Sequence, residues 1–309
     1  MVLLSVLHSV FVMFLLIVAG YLTFMFKIVN SQTLQSLTSF LILIVSPVVI
    51  VYSFQLKIDA TLIHGLIVAV ISAFTAHIVT VILSILLFIK QPRSRNYKQV
   101  LRFAVVYSNC GFVGIPLLTA VVGPQGAFFA SVYIAVFTIF LWTHGVFLFT
   151  GKADRSSLKK ILLNPNLIAV VIGVLLFFLK IQIPSVLNDG FSYIYNLNTP
   201  LAMIVIGASL GQVGVHSIFN DKWVWPGIAL KNSVFPVIGL FALHAAGISG
   251  MLLLCCFIPI ACPVAGNIVL IPAMYEMDTE FPTKLMSLST LFSVISMPAV
   301  ISLIAILHF

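Results

Sequence analysis

Long apolar stretches separated by short polar links run through the whole of this chain of 309 residues. Because a helix needs roughly 20 apolar residues to cross a bilayer, the pattern predicts ten membrane-spanning helices. Their expected bounds are about 3–26, 34–54, 62–89, 100–122, 127–149, 165–180, 191–210, 223–245, 251–275 and 283–307. The pattern therefore predicts an all-α integral membrane protein, in which the polar residues 151–164 link two groups of five spans.

Turn and capping residues refine the links between the spans. The run Gly-Pro-Gln-Gly at 123–126 predicts a tight turn between the fourth and fifth spans. Asn164 and Pro165 are a typical N-cap and first helical residue, and they predict the start of the sixth span. Residues 184–190 are predicted to form a loop before the seventh span.

The fourth and ninth predicted spans both contain residues that interrupt a helix at membrane depth. Residues 108–117 carry an asparagine, two glycines and a proline, and residues 262–267 read Cys-Pro-Val-Ala-Gly-Asn. Glycine lowers helix propensity and proline removes a backbone donor. Broken backbone in a membrane persists only where protein buries it or where it lines a wet cavity. Two matched interruptions favour a secondary transporter with its site between them.

The two halves of the chain have features of inverted repeats. Asn109 and Asn267 are separated by nearly the same number of residues as Pro116 and Pro272, and both prolines follow an isoleucine. Five spans is an odd number, so the second half must enter the membrane inverted relative to the first. The predicted domains are a first five-helix repeat at 1–150, a linker at 151–164 and a second five-helix repeat at 165–309. The alternative is coincidence, since Gly and Pro are frequent in transmembrane helices generally.

The few charged residues, 7% of the chain against 61% hydrophobic residues, set the expected orientation. Most basic residues lie in alternate links: Lys27; Lys90, Arg93, Arg95, Lys98 and Arg102; Lys152, Arg155, Lys159 and Lys160; Lys222; and Lys284. The other links hold only Lys57 and Lys180. The positive-inside rule then predicts a multi-pass plasma-membrane protein with the first set in the cytoplasm and both termini outside. The basic links are expected to face anionic lipid headgroups rather than nucleic acid.

The spans lack the side chains that catalysis or metal binding would need. All seven acidic residues lie in links, and no paired acids, metal-ligand histidine pair or nucleotide-binding loop is present in a span, which argues against an intramembrane enzyme. The four cysteines, Cys110, Cys255, Cys256 and Cys262, lie in apolar spans without an acid or histidine cluster. Neither disulfides, nor a metal, nor a cofactor is expected.

The interrupted spans also carry a family resemblance. The run Asn-Cys-Gly-Phe-Val-Gly-Ile-Pro-Leu at 109–117 resembles the span-four signature of the auxin efflux carrier family. Residues 263–267, followed by Tyr275 and Asp278, are similar to its span-nine counterpart, and residues 200–210 are similar to its seventh span. The resemblance covers the whole chain. It implies a scaffold of spans one, two, six and seven, and a moving transport domain of spans three to five and eight to ten.

The resemblance implies a secondary carrier that works by elevator-type alternating access. Plant members of the family export indole acetate, and bacterial members include carriers for malate, malonate and related organic anions. This chain has no long central cytoplasmic loop, unlike many plant members, so it resembles the bacterial type. A carrier of small organic anions is therefore expected, with an exporter of amphipathic weak acids, or a channel or sensor, as alternatives. Family members are often dimers, so a homodimer is among the expected assemblies.

The interruptions provide candidate groups for binding a carboxylate. The second half-helix of each broken span would begin after Gly111 or Gly266, and helix N-termini favour anions. Asn109 and Asn267 are expected either to orient substrate or to cap the broken backbone, and the two roles are compatible. The predicted binding residues are Asn109, Cys110, Gly111, Gly114, Pro116, Pro263, Gly266, Asn267 and Lys231.

Lys231 is the one basic residue predicted to lie well inside a span. A lysine at a helix centre costs roughly 2.5–3.5 kcal/mol on insertion scales, so a role near the anion path is favoured. The alternative is that Lys231 extends its side chain toward the membrane surface. Asn232 follows it and points about 100° away on a helix, so both are not expected to face a cavity squarely.

Two histidines are candidates for proton coupling because no acidic residue lies in a span. His77 in the third span and His144 in the fifth could carry a proton near neutral pH. The alternative is that each is simply a packed polar residue. The substrate could also carry its own proton or move as an anion down the membrane potential, and sodium could bind unwound carbonyls.

Overall fold

The computed structural model describes residues 2–89, 95–151, 155–213 and 221–307, and these segments form helices joined by short links. The helices are α1 (Val2–Met25), α2 (Ser31–Ser53), α3 (Ala60–Leu87), α4 (Arg95–Val106), α5 (Cys110–Val122), α6 (Pro124–Thr150), α7 (Arg155–Leu162), α8 (Pro165–Phe178), α9 (Ser185–Val213), α10 (Val224–Ala245), α11 (Gly250–Ala261), α12 (Asn267–Met274) and α13 (Glu280–Ile306). Four π-helical turns occur within them, at Leu41–Val45, Cys110–Gly114, Leu141–Gly145 and Leu230–Val234.

The described helices are those of an integral membrane protein. Seven of them are long and apolar enough to cross a bilayer, namely α1, α2, α3, α6, α9, α10 and α13. Three further apolar helices, α5, α8 and α11, are shorter. The fourth and ninth predicted spans are each divided into two helices, and the sixth, α8, has 14 residues.

The start of α8 confirms the predicted helix cap. The Asn164 side-chain oxygen accepts hydrogen bonds from the backbone N–H groups of Asn166 at 3.0 Å and Leu167 at 3.2 Å. Pro165 is the first helical residue, where its missing N–H costs nothing. The residue types at this position therefore fix the helix start locally.

The tight turn predicted at 123–126 is confirmed, because the Gly126 N–H donates to the Gly123 carbonyl at 2.9 Å. Pro124 already begins α6, and the positive φ of 81° at Gly123 allows the reversal. The loop predicted at 184–190 is wrong, because α9 begins at Ser185. Polar residues such as Asp189 are exposed in this first part of α9, so polarity here marks a helix extending beyond the apolar stretch.

Helices α1 and α9 contact each other backbone to backbone. A Cβ atom placed on Gly20 would lie 2.1 Å from the carbonyl oxygen of Ile204, and one on Gly207 would lie 1.9 Å from that of Ile17. Close packing of small residues stabilises helix pairs in lipid, where hydrophobic burial between helices gives little driving force. The glycines therefore fix the distance between α1 and α9.

A second contact joins the end of α2 to α8. The Phe54 ring occupies the space beside Gly173, where an added Cβ would lie 2.5 Å from the ring. Phe54 also packs edge-on against Phe128 of α6, with ring centres 4.7 Å apart. The contact thus connects α2 and α8 to α6, the most buried of the seven long apolar helices.

Candidate functional site

The first broken helix lies between α4 and α5. Helix α4 ends at Val106, and the regular hydrogen-bonding pattern resumes at Cys110 with a π-helical turn. The Asn109 side-chain oxygen accepts a hydrogen bond from the Phe112 N–H at 3.3 Å and so caps the new helix. The capping role predicted for Asn109 is therefore confirmed.

The second broken helix lies between α11 and α12. Helix α11 ends at Ala261, Cys262 is extended with φ −58° and ψ 148°, and α12 starts at Asn267. Gly266 occupies the cap position, and no side chain of the described segments caps α12. The second break thus leaves the start of its helix without the side-chain cap that Asn109 gives the first.

The two breaks cross and satisfy each other's backbone. Ser108 and Val264 form an isolated antiparallel bridge. The Asn109 N–H donates to the Pro263 carbonyl at 2.7 Å, and the Ala265 N–H donates to the Tyr107 carbonyl at 3.0 Å. Polar backbone freed at membrane depth needs such partners. We call this arrangement, residues 107–110 and 262–266, the crossing.

Lys231 lies against the crossing. Its Nζ donates to Ser108 Oγ at 2.5 Å and lies 3.5 Å from the Ile260 carbonyl oxygen, which also accepts from Ser108 Oγ at 3.3 Å. The Lys231 side chain is 2% exposed, so it does not extend toward the membrane surface. The π-helical turn Leu230–Val234 places this cation in the interior beside the first break.

Asn232 holds the second break from the same π-helical turn. Its Nδ2 donates to the Ser289 carbonyl at 2.7 Å, and Ser289 Oγ donates to Asn232 Oδ1 at 2.6 Å. Ser289 Oγ in turn accepts the N–H of Val264 at 3.0 Å. Lys231 therefore lies beside the first break and Asn232 supports the second. Neighbouring helical residues point about 100° apart, so the two side chains take different directions.

The eight predicted binding residues other than Lys231 divide into two groups by burial. Asn109, Gly111, Gly266 and Asn267 are partly or largely exposed, and they lie in the crossing or directly beside it. Cys110, Gly114, Pro116 and Pro263 are buried, and Gly114 packs close to the Cys262 sulfur. The first group is therefore accessible at the protein surface, and the second group is not.

Asn109 and Asn267 differ in their hydrogen bonds although they occupy matching positions. The Asn109 side chain is engaged by Phe112. The Asn267 side chain has no hydrogen bond within the described ranges of the chain, and it is partly exposed. Asn267 therefore presents an amide that can both donate to and accept from a ligand.

Both candidate histidines lie in an aromatic cluster beside the first break. His77 is buried, its Nδ1 pairs with the Ala73 carbonyl at 2.8 Å, and its Nε2 has no partner among the described residues. Its ring stacks on Phe140 at 4.9 Å. His144 Nδ1 lies 2.9 Å from the hydroxyl of Tyr107, the residue that enters the break. The structure thus brings both histidines to one side of the crossing.

Three residues of this site were not identified from the sequence: Ser108, Tyr107 and Ser289. Ser108 directly precedes Asn109, so its place in the interrupted stretch was an available signal. Ser289 belongs to α13, where Ser287, Thr290 and Ser293 are also buried. A cluster of small hydroxyl residues in an apolar helix indicated a polar contact without identifying its partner.

The comparisons with known proteins identify the family of the chain. The profile of a family described as membrane transport protein matches residues 5–301, nearly the whole chain. An uncharacterized transporter of Methanocaldococcus jannaschii is 22% identical over 293 residues, which cover 93% of this chain and 94% of that protein. The fold and the matches define a helical membrane transporter and not an enzyme. The chain belongs to the membrane transport protein family, of the auxin efflux carrier type that its fourth predicted span resembles.

Proposed function

We propose that the protein is a secondary transporter of small organic anions, carboxylates similar to malate and malonate, and that the anion binds at the crossing. The main support is the buried ammonium of Lys231, whose hydrogen-bond partners are the neutral Ser108 and Ile260 carbonyl. A buried charge without a counter-ion is costly, and an arriving carboxylate offsets that cost.

The accessible side of the crossing offers the groups that would contact the anion. Asn109, Gly111, Gly266 and Asn267 line it, with the free Asn267 amide as the orienting group. The starts of α5 and α12 add partial positive charge, because the peptide dipoles of a helix leave its N-terminus positive. Lys231 is buried behind these groups and supplies positive electrostatic potential to the crossing. The low polarity of the protein interior strengthens that potential.

We further propose ten spans in two inverted repeats, with α4–α5 and α11–α12 as the crossing fourth and ninth spans. The packing supports this symmetry. Span one (α1) packs on span seven (α9), and span two (α2) packs on span six (α8), as a two-fold relation between the halves requires. The domain bounds stay as predicted: 1–150, 151–164 and 165–309.

An elevator mechanism follows from that division. Spans one, two, six and seven would form the scaffold, and the other six spans would carry the crossing through the membrane. The proposed orientation has both termini outside the plasma membrane. A cavity of about 360 Å³ brings together Gln55, Pro124 and Ile183, so the three links predicted to be external lie on one side of the molecule. The positive-inside rule is what assigns that side to the outside.

Proton coupling through His77 and His144 is part of the proposal. The His144–Tyr107 hydrogen bond connects a partly exposed histidine to the first break. The His77 Nε2, which has no partner among the residues that the structure describes, lies in the same aromatic cluster. A proton on either imidazole would add positive charge beside the anion site.

A second candidate, an exporter of amphipathic weak acids, is favoured by one observation. An apolar cavity of about 350 Å³ lies between α3 and α10 and reaches Ile260, whose carbonyl contacts Lys231. Such a cavity suits the apolar part of a larger monocarboxylate.

Counterflow in proteoliposomes tests the carrier proposal. Vesicles preloaded with unlabelled malate should transiently accumulate labelled malate above equilibrium, and uptake should saturate. The same assay with malonate and indole acetate separates the two substrate classes. Flux that neither saturates nor shows counterflow would instead indicate a channel.

A further inference from the structure

Three side chains from different parts of the chain meet where α7 packs on the π-helical turn of α6. The Lys160 Nζ lies over the Trp142 ring at 5.5 Å from its centre and over the Tyr275 ring at 5.6 Å. Trp142 belongs to α6, Lys160 to α7, and Tyr275 directly follows α12. We call these three residues the Trp–Lys–Tyr cluster.

The cluster holds hydrogen-bond donors that none of the described residues engages. Trp142 Nε1 and the Tyr275 hydroxyl are buried, and neither has a hydrogen-bond partner in the described part of the chain. Lys160 is paired with no acidic side chain of the described residues. Buried polar groups are nearly always hydrogen-bonded in proteins, and an indole N–H can only donate. The cluster is therefore suited to an acceptor-rich anion.

The surface of α7 indicates where that anion comes from. Leu158 and Leu162 are 62% and 61% exposed and lie one turn apart on the same face. Lys159 is exposed between them, and Leu163 is 60% exposed. Exposed leucines on a short basic helix are typical of a helix that lies in the headgroup layer of a bilayer. Trp and Tyr beside it are typical of the same layer.

We propose that the Trp–Lys–Tyr cluster binds the phosphate of an anionic phospholipid headgroup. Lys160 supplies the positive charge, and Trp142 Nε1 and the Tyr275 hydroxyl donate to phosphate oxygens. Lys160 is partly exposed and lies over both rings, so the anion would reach the two donors when its side chain rotates away from the rings. The leucines of α7 enter the adjoining acyl layer. The site is separate from the crossing and does not rest on the proposed transport function.

The test compares the thermal unfolding of purified protein in nanodiscs of phosphatidylcholine with and without phosphatidylglycerol. The Trp142→Phe/Tyr275→Phe double variant keeps both rings and deletes only the two donors. Lys160→Gln removes the charge, and Lys159→Gln is a control that removes an equal charge from the exposed neighbour. For each variant, the unfolding temperature with phosphatidylglycerol is compared with the unfolding temperature of the same variant in phosphatidylcholine alone. Inorganic phosphate is tested separately in lipid-free detergent.

Phosphatidylglycerol should raise the unfolding temperature of the wild type and of Lys159→Gln by a few degrees. In the double variant and in Lys160→Gln, half-maximal stabilisation should need roughly tenfold more anionic lipid, as expected when charge-assisted hydrogen bonds are lost. An unchanged response of the double variant would overturn the proposal, as would equal losses in the two lysine variants. An equal effect of inorganic phosphate would assign the cluster to a soluble anion and overturn the lipid assignment.

Discussion

The α1–α9 contact and the crossing solve the same problem of a polar backbone in a membrane in opposite ways. In α1 and α9 each helix satisfies its own backbone, and Gly20 and Gly207 let the two surfaces touch. At the crossing the helices are broken, and the freed groups are satisfied across the break and by Ser289. The stability of the α1–α9 contact depends on the close fit of two helix surfaces. The stability of the crossing depends on specific hydrogen-bond partners.

This difference predicts which substitutions damage the fold and which damage transport. In the α1–α9 contact an added methyl group at Gly20 or Gly207 has no room. At the crossing the polar groups divide between those that hold the breaks and those that remain free. Substitutions there should separate stability from transport.

The largest effect is expected for Gly207→Ala. The new Cβ would lie 1.9 Å from the Ile17 carbonyl oxygen, so α1 and α9 must separate. Overpacking typically costs about 1–3 kcal/mol and occasionally more. Size-exclusion chromatography and thermal unfolding should show aggregation or a strong loss of stability. Gly190→Ala is the control, because Gly190 lies on the same helix with open space around it. Equal stability of the two variants would show that the contact is not tightly packed.

A smaller loss of stability is expected for Ser289→Ala at the crossing. It leaves the Val264 N–H and Asn232 Oδ1 without their partner, at about 1–3 kcal/mol for an unsatisfied buried group. Ser287→Ala on the same helix is the control, because the buried Ser287 hydroxyl makes no hydrogen bond in the described structure. Thermal unfolding should separate the two variants. If Ser287→Ala were the more destabilising, Ser289 would not support the break.

The smallest effect on stability, with a clear effect on transport, is expected for Asn267→Ala. Its side chain makes no hydrogen bond within the described ranges, so the fold should be unchanged while transport falls by roughly tenfold or more. Asn109→Ala should instead lose about 0.5–2 kcal/mol of stability, because Asn109 caps the first break. Unfolding and flux are measured for both variants. Normal flux in Asn267→Ala would remove it from the binding site.

The sequence was sufficient to locate both breaks, because asparagine, glycine and proline within an apolar span act on the local backbone. It was also sufficient for the cap at Asn164. It did not identify Ser108 as the partner of Lys231, because these residues are brought together only by the crossing of separate helices. The π-helical turn at Leu230–Val234 likewise has no local signal, since Lys231 and Asn232 are positioned by tertiary contacts.

The beginning of α9 is a second feature that the local sequence did not predict correctly. Its polar residues predicted a loop at 184–190, because polarity was taken to mark the end of a span. The helix continues past the apolar stretch to Ser185, since a helix outside the hydrocarbon layer tolerates exposed polar side chains. Polarity therefore limits the membrane-embedded part of a helix and not the helix itself.

Anion-induced thermal stabilisation of the wild type and of Lys231→Met tests the proposed anion site most directly. Methionine keeps the length of the side chain and removes the charge, and Ser108 still has the Ile260 carbonyl as a partner. A panel of mono- and dicarboxylates, with malate, malonate and indole acetate, is added to each purified protein. We predict that a dicarboxylate raises the unfolding temperature of the wild type and that Lys231→Met, although folded, loses this response. Equal stabilisation of both proteins by the same anion would contradict binding at the crossing.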